Sequence, residues 1–288
     1  MRHAAAGPEG DRRPGREPPA GTRGAAPGAG GRTQTAGKRT AAGANSPPGL
    51  DRPAFYALAP GGWRDLVTVL HPPYTAWHLS YVALGAAAAP RLYLGRLGAS
   101  VAAFALAVGV AAHALDELHG RPLQTRLPDG ALVALAAVGL GGAVAIGAVG
   151  AATISPWLVP LIAAGAALVL AYNLELLGGR LHSDAWFALA WGGFPAFTGY
   201  FACSLEVRPA GLLVAGGCVL LSVAQRRLSA PVRELRRRTA GLRGVQELQS
   251  GELRELDAAA VAAPMEGALR AMWLAVVLLA AGLVAVRV

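Results

Sequence analysis

Seven apolar stretches punctuate the chain, at 74–90, 97–118, 131–150, 155–177, 185–204, 209–225 and 265–286. A bilayer core of ~30 Å takes roughly 20 helical residues, and each stretch falls within the workable range of about 17–25. Open strands cannot serve there, because lipid offers no partner to unpaired backbone N–H and C=O groups. The expected fold is all-α: a polytopic membrane bundle of seven transmembrane helices. Composition agrees. Charged residues make up 15% of the chain, against about 25% in soluble domains. The two cysteines, Cys203 and Cys218, both fall in apolar runs and cannot form a disulfide framework.

The net charge of +9 looks at first like a nucleic-acid signal, but its distribution points elsewhere. Residues 1–50 carry +5 of it in an Arg-, Gly-, Pro- and Ala-rich tail with no aromatic residue. Such a segment cannot bury enough surface to offset its ordering entropy and is read as disordered. It also lacks the aromatic side chains that stack on single-stranded nucleic acid, so no nucleic-acid partner is expected. Residues 51–73, with Phe55, Tyr56, Leu58, Trp63, Leu66, Val67 and Leu70, read as an interfacial segment leading into a transmembrane domain over 74–288. Most remaining positive charge lies after the sixth stretch, at Arg226, Arg227, Arg233, Arg236, Arg237, Arg238 and Arg243. The positive-inside rule makes that connection cytoplasmic, which puts the N-terminus inside and the C-terminus on the opposite side of the cell membrane. Within the loop 226–263, residues 239–262 read as an amphipathic helix, with Leu242, Val245, Leu248, Leu253 and Leu256 among Glu and Arg.

Polar residues gather at the ends of spans on that same side. His113, Asp116 and Glu117 stand at i, i+3 and i+4, a spacing that puts them on one helical face. Two carboxylates and an imidazole there could hold a divalent cation; carboxylate oxygens suit Mg²⁺, whereas several imidazoles would suit zinc or iron better. A wet helix end facing the cytoplasm is the plainer alternative. Asn173 and Glu175 close the fourth stretch, and Arg180, His182 and Asp184 come next in its loop. Charge at bilayer depth is costly and ordinarily has a partner or a task. Arginine binds phosphate bidentately, so the run from Arg226 could grip a diphosphate, although a stop signal for insertion explains most of it. The chain has no Walker loop, GxSxG or HExxH.

In order along the chain, these motifs resemble the UbiA superfamily of membrane prenyltransferases. The resemblance rests on His71-Pro72-Pro73-Tyr74 through Trp77 to Gly85-Ala86, then on His113 to Glu117, where the family has its first acidic motif. It continues through Arg121-Pro122-Leu123 to Pro128, Tyr172-Asn173, and Trp191-Gly192-Gly193-Phe194-Pro195 to Tyr200. The chain departs from the family where His113, Glu117 and Arg121 replace Asn, Asp and Asp, and where Gln225-Arg226-Arg227 holds the place of the second acidic motif. It also has fewer spans than the family carries. The resemblance implies a prenyl diphosphate lying in the bundle with its diphosphate at the cytoplasmic mouth, a hydrophobic aromatic or lipid acceptor, and surrounding membrane lipid. It implies His113, Asp116 and Glu117 as catalytic residues, and Mg²⁺ held by Asp116, Glu117 and Glu175. Arg121, Arg126, Tyr172, Asn173, Arg180 and Arg226 would bind substrate. A non-catalytic relative, or an ion-binding or transport protein with a polar cytoplasmic-side pocket, is the alternative.

Overall fold

The structure, a computed structural model, describes residues 52–288. The expected disorder of the 1–50 tail lies outside the described residues. The described chain is helical apart from one hairpin. A short helix α1 (Trp63–Val69) leads into α2 (Pro72–Ala88), α3 (Leu94–Leu118), α4 (Asp129–Thr153) and α5 (Pro156–Asn173). Then come α6 (184–204), α7 (Pro209–Arg237), strands β1 (Arg243–Glu247) and β2 (Leu253–Asp257), and α8 (Ala258–Arg287). Five of these, α3, α4, α5, α7 and α8, are long and apolar enough to cross a membrane. Helices α2 and α6 occupy the remaining two apolar stretches.

Helix α2 forms the centre. Trp77, Tyr81, Val82 and Ala86 on it are fully buried, and it packs against α6, α8, α7 and α3. The peripheral helices keep large apolar side chains on the outside: Val133, Val138, Val144 and Val149 on α4, and Leu274, Leu278, Leu279 and Leu283 on α8. Long apolar stripes of this kind suit contact with acyl chains and are not tolerated on a monomer in water.

Two helices contain π turns, at Ala105–Ala112 within α3 and Ala188–Gly193 within α6. A π turn inserts an extra residue into the α-helical register and re-aims the side chains beyond it, often at a functional site. Here the turns immediately precede His113 and surround Trp191. Before α2, α1 turns Trp63, Leu66 and Leu70 outward while Asp65 and Thr68 are buried.

The expected helix over 239–262 is instead a β-hairpin joined to the start of α8. Gly251, at φ +83°, takes the left-handed conformation that only Gly adopts freely. Its N–H donates to the Leu248 carbonyl while the Leu248 N–H donates to Glu252, closing a three-residue loop. The leucine spacing that imitated a helix is not buried on either strand; Val245 and Leu253 are exposed. Asp257 then caps α8 by accepting from the Ala260 N–H at 2.7 Å.

Candidate functional site

A polar cavity of about 530 Å³ opens where the ends of α2, α3, α5, α6 and α7 meet. Tyr74 and His78 face it from α2, His113 and Asp116 from α3, Tyr172 and Asn173 from α5, and Phe187 and Trp191 from α6. Helix α7 supplies Arg226, Ser229, Arg233 and Arg237. These stand at i, i+3, i+7 and i+11, the spacing of one helical face. Residues Pro53 to Tyr56 also line it. They are held there because Arg236 donates to the Arg52 carbonyl at 3.1 Å and Arg237 to the Pro53 carbonyl at 3.2 Å.

The aromatic wall is fixed by a few directed contacts. His78 Nδ1 donates to the Trp191 carbonyl at 2.8 Å, tying α2 to the π turn of α6. Tyr172 lies edge-on to Trp191 at 5.6 Å and stacks on His182 at 4.4 Å, whose Nδ1 donates to the Tyr172 carbonyl. Across the cavity, the rings of His71 and His113 stack at 4.1 Å, and His71 Nδ1 lies 3.0 Å from the Tyr56 hydroxyl. Burial, reinforced by His113 and Arg237, pushes the His71 imidazole well below its ordinary range, so it is neutral at pH 7.

Of the residues given catalytic, metal-binding or substrate-binding roles from the sequence, His113, Asp116, Tyr172, Asn173 and Arg226 share this cavity. Arg226 is braced there by Asp184, 2.7 Å from its Nε, and lies over the Phe187 ring. Asn173 spends one amide hydrogen on the Val169 carbonyl. The others are elsewhere. Adjacent residues point about 100° apart around an α-helix, so Glu117 turns away from Asp116. It is fully buried and accepts from the Leu123 N–H at 2.9 Å and from the Thr125 N–H and hydroxyl at 2.8 Å each. Glu117 therefore holds the 119–128 loop. Arg121 pairs with Asp129. Arg126 is exposed, its N–H bonded to Asp65, and Arg180 is exposed. Glu175 is exposed in the turn after α5, 3.9 Å from His182.

The expected Mg²⁺ donor set thus does not assemble. Of Asp116, Glu117 and Glu175, only Asp116 reaches the cavity. Among the described residues no group of three or more His, Cys, Asp and Glu side chains could hold a metal ion. Sequence reasoning offered Arg233 and Arg237 only as part of an arginine run that could grip a diphosphate and was explained mostly as a stop signal, and it gave no site role to His71, Tyr74 or His78. The spacing of the arginines from Arg226 was the available signal.

Beside this cavity lies an almost wholly apolar groove of about 130 Å³, walled by α3, α4, α5 and α6. Val108 and Trp191 line both, so the groove and the cavity adjoin.

No family model, no curated protein and no solved structure matches this chain.

Proposed function

We propose that the protein is a seven-span membrane protein, N-terminus cytoplasmic, that binds an amphiphile with a phosphorylated head and an isoprenoid-like tail and transfers the tail to a hydrophobic acceptor. The observation that carries this reading is the junction at Val108 and Trp191 of an arginine-lined polar cavity with an apolar groove. Arginine is suited to phosphate, and the groove to a hydrocarbon chain. The order of motifs resembling UbiA prenyltransferases names the chemistry. In that step the C1–O bond of a prenyl diphosphate breaks with its electron pair leaving on the diphosphate. The acceptor's nucleophile bonds to C1, and its proton passes to Asp116. Charge builds on the departing diphosphate, where preorganised guanidiniums are most effective. Tyr172 and Trp191 offer π faces to the allylic cation.

The scarcity of acids in the cavity, where among the described residues Asp116 is joined only by Glu234 at the exposed rim, favours a second reading, a non-catalytic binder of the same amphiphile. Incubating the purified full chain with radiolabelled prenyl diphosphates of several lengths and a lipid extract separates the two. The expected result is diphosphate release with label passing into the lipid fraction, abolished in Asp116→Asn. Tight retention of intact substrate at every chain length selects the binder. Absence of binding at every length removes both.

A further inference from the structure

Two of the arginines lining this cavity are matched by carboxylates. Arg236 forms a buried, two-pronged pair with Glu266 at 2.5 and 2.9 Å, and Arg226 is paired with Asp184. Arg233 and Arg237 are different. Both are half-buried and line the cavity, yet neither forms an ion pair with a carboxylate among the described residues. Among the described residues, Arg233 has only the Ser229 hydroxyl at 2.8 Å as hydrogen-bond partner, and Arg237 only the Pro53 carbonyl. Removing an unpaired guanidinium from water is unfavourable unless a counter-charge arrives. The carboxylates available on the cavity wall are Asp116 and, at the exposed rim, Glu234. The wall is cationic before any ligand binds.

We propose that the cavity takes its phosphorylated head as a metal-free anion, with Arg233 and Arg237 supplying the charge that a divalent cation would otherwise supply. This rests on the reading that the cavity binds a phosphorylated amphiphile, and it runs against the Mg²⁺ that the motif resemblance implies. The chemistry of the donors carries it. A magnesium-bridged diphosphate needs carboxylate oxygens facing the phosphates, and Glu117 has spent both oxygens on the 119–128 loop. Guanidiniums seven and eleven residues beyond Arg226 present fork-shaped donors on the same face, the geometry for bidentate phosphate contacts. A metal-free site also reverses the role of Asp116. In a magnesium site it would be a ligand and binding would depend on it. Beside a bare anion it is a repulsive neighbour.

Isothermal titration of the full-length, detergent-solubilised protein with inorganic pyrophosphate, in excess EDTA and then in millimolar Mg²⁺, tests this. Binding is expected in EDTA, with Mg²⁺ bringing no gain. Arg233→Gln and Arg237→Gln are each expected to weaken it about tenfold, the loss of one charge-assisted contact. Asp116→Asn is expected to bind as tightly as the parent or tighter. Arg233→Lys, which keeps the charge and loses the fork, is expected to fall between parent and Gln, and serves if the Gln variants do not fold. Pyrophosphate binding that requires Mg²⁺ and disappears in Asp116→Asn overturns the proposal while leaving the phosphorylated-ligand reading intact. Absence of pyrophosphate binding in either condition, with a prenyl diphosphate also failing to bind, overturns both.

Discussion

Glu117→Ala is expected to cost about 3–5 kcal/mol of stability, because it leaves several buried donors without an acceptor at about 1–3 kcal/mol each. Those donors are the N–H groups of Leu123 and Thr125 and the Thr125 hydroxyl, all within 2.9 Å of the carboxylate. The side chain has no exposed surface, so bulk solvent does not reach these donors. Glu117→Gln should recover only part of the loss. An amide presents one oxygen, which can serve Thr125, and turns its NH₂ toward the Leu123 N–H, where two donors then face each other. Thermal unfolding of the detergent-solubilised protein ranks the variants: parent most stable, then Gln, then Ala. Limited proteolysis should cut first within 119–128 in the Ala variant. A Glu117→Ala protein as stable as the parent, but unable to bind pyrophosphate, would return this residue to the ligand-binding machinery.

The same residue shows where sequence reasoning stops. Hydropathy requires only a count of consecutive apolar residues, so helices long and apolar enough to cross a membrane were legible: 97–118 corresponds to Leu94–Leu118, and 131–150 to Asp129–Thr153. The limits came where polar residues continue a helix. The sixth apolar stretch ends at 225, but α7 runs to Arg237, because arginine is a good helix former and nothing in its chemistry terminates one. That extension carries Arg233 and Arg237 onto the cavity wall. Spacing on a helix likewise brings Asp116 and Glu117 together, yet it is blind to a loop further along that folds back and claims one of them. The hairpin at 243–257 was missed for a related reason. Its leucines repeat at helical intervals, while the Ser250-Gly251 pair that breaks the run carries the turn information. The π turns in α3 and α6 have no sequence signature in a run of Ala, Val, Leu and Gly, although they set the direction of His113 and Trp191.

Gly85→Ala and Gly199→Ala are each expected to abolish assembly of the bundle, while Gly217→Ala is expected to be harmless. A Cβ on Gly85 would lie 1.8 Å from the Ala196 carbonyl oxygen, and one on Gly199 would lie 2.1 Å from that of Val82. The obstacles are backbone atoms, so no rotamer change relieves them; α2 and α6 would have to separate by more than an ångström. Ordinary overpacking costs about 1–3 kcal/mol, and two clashes with main chain at the most buried crossing should exceed that. The loss has no easy compensation in lipid, where helices associate by close packing of small residues and gain little from burying apolar surface. Gly217 meets nothing within 4 Å, so a methyl group there should be neutral or add about 0.5–1 kcal/mol by restricting the unfolded chain. Size-exclusion profiles and thermal unfolding of the three variants provide the comparison, and a monodisperse Gly85→Ala protein with parental stability would refute the crossing. The consequence reaches the cavity. Helix α2 carries Tyr74 and His78, α6 carries Phe187 and Trp191, and the 2.8 Å bond from His78 to the Trp191 carbonyl spans the two. A Gly199→Ala protein that survives extraction should therefore bind pyrophosphate more weakly than the parent, although residue 199 lies outside the cavity wall, because the wall holds its shape only while the two backbones touch.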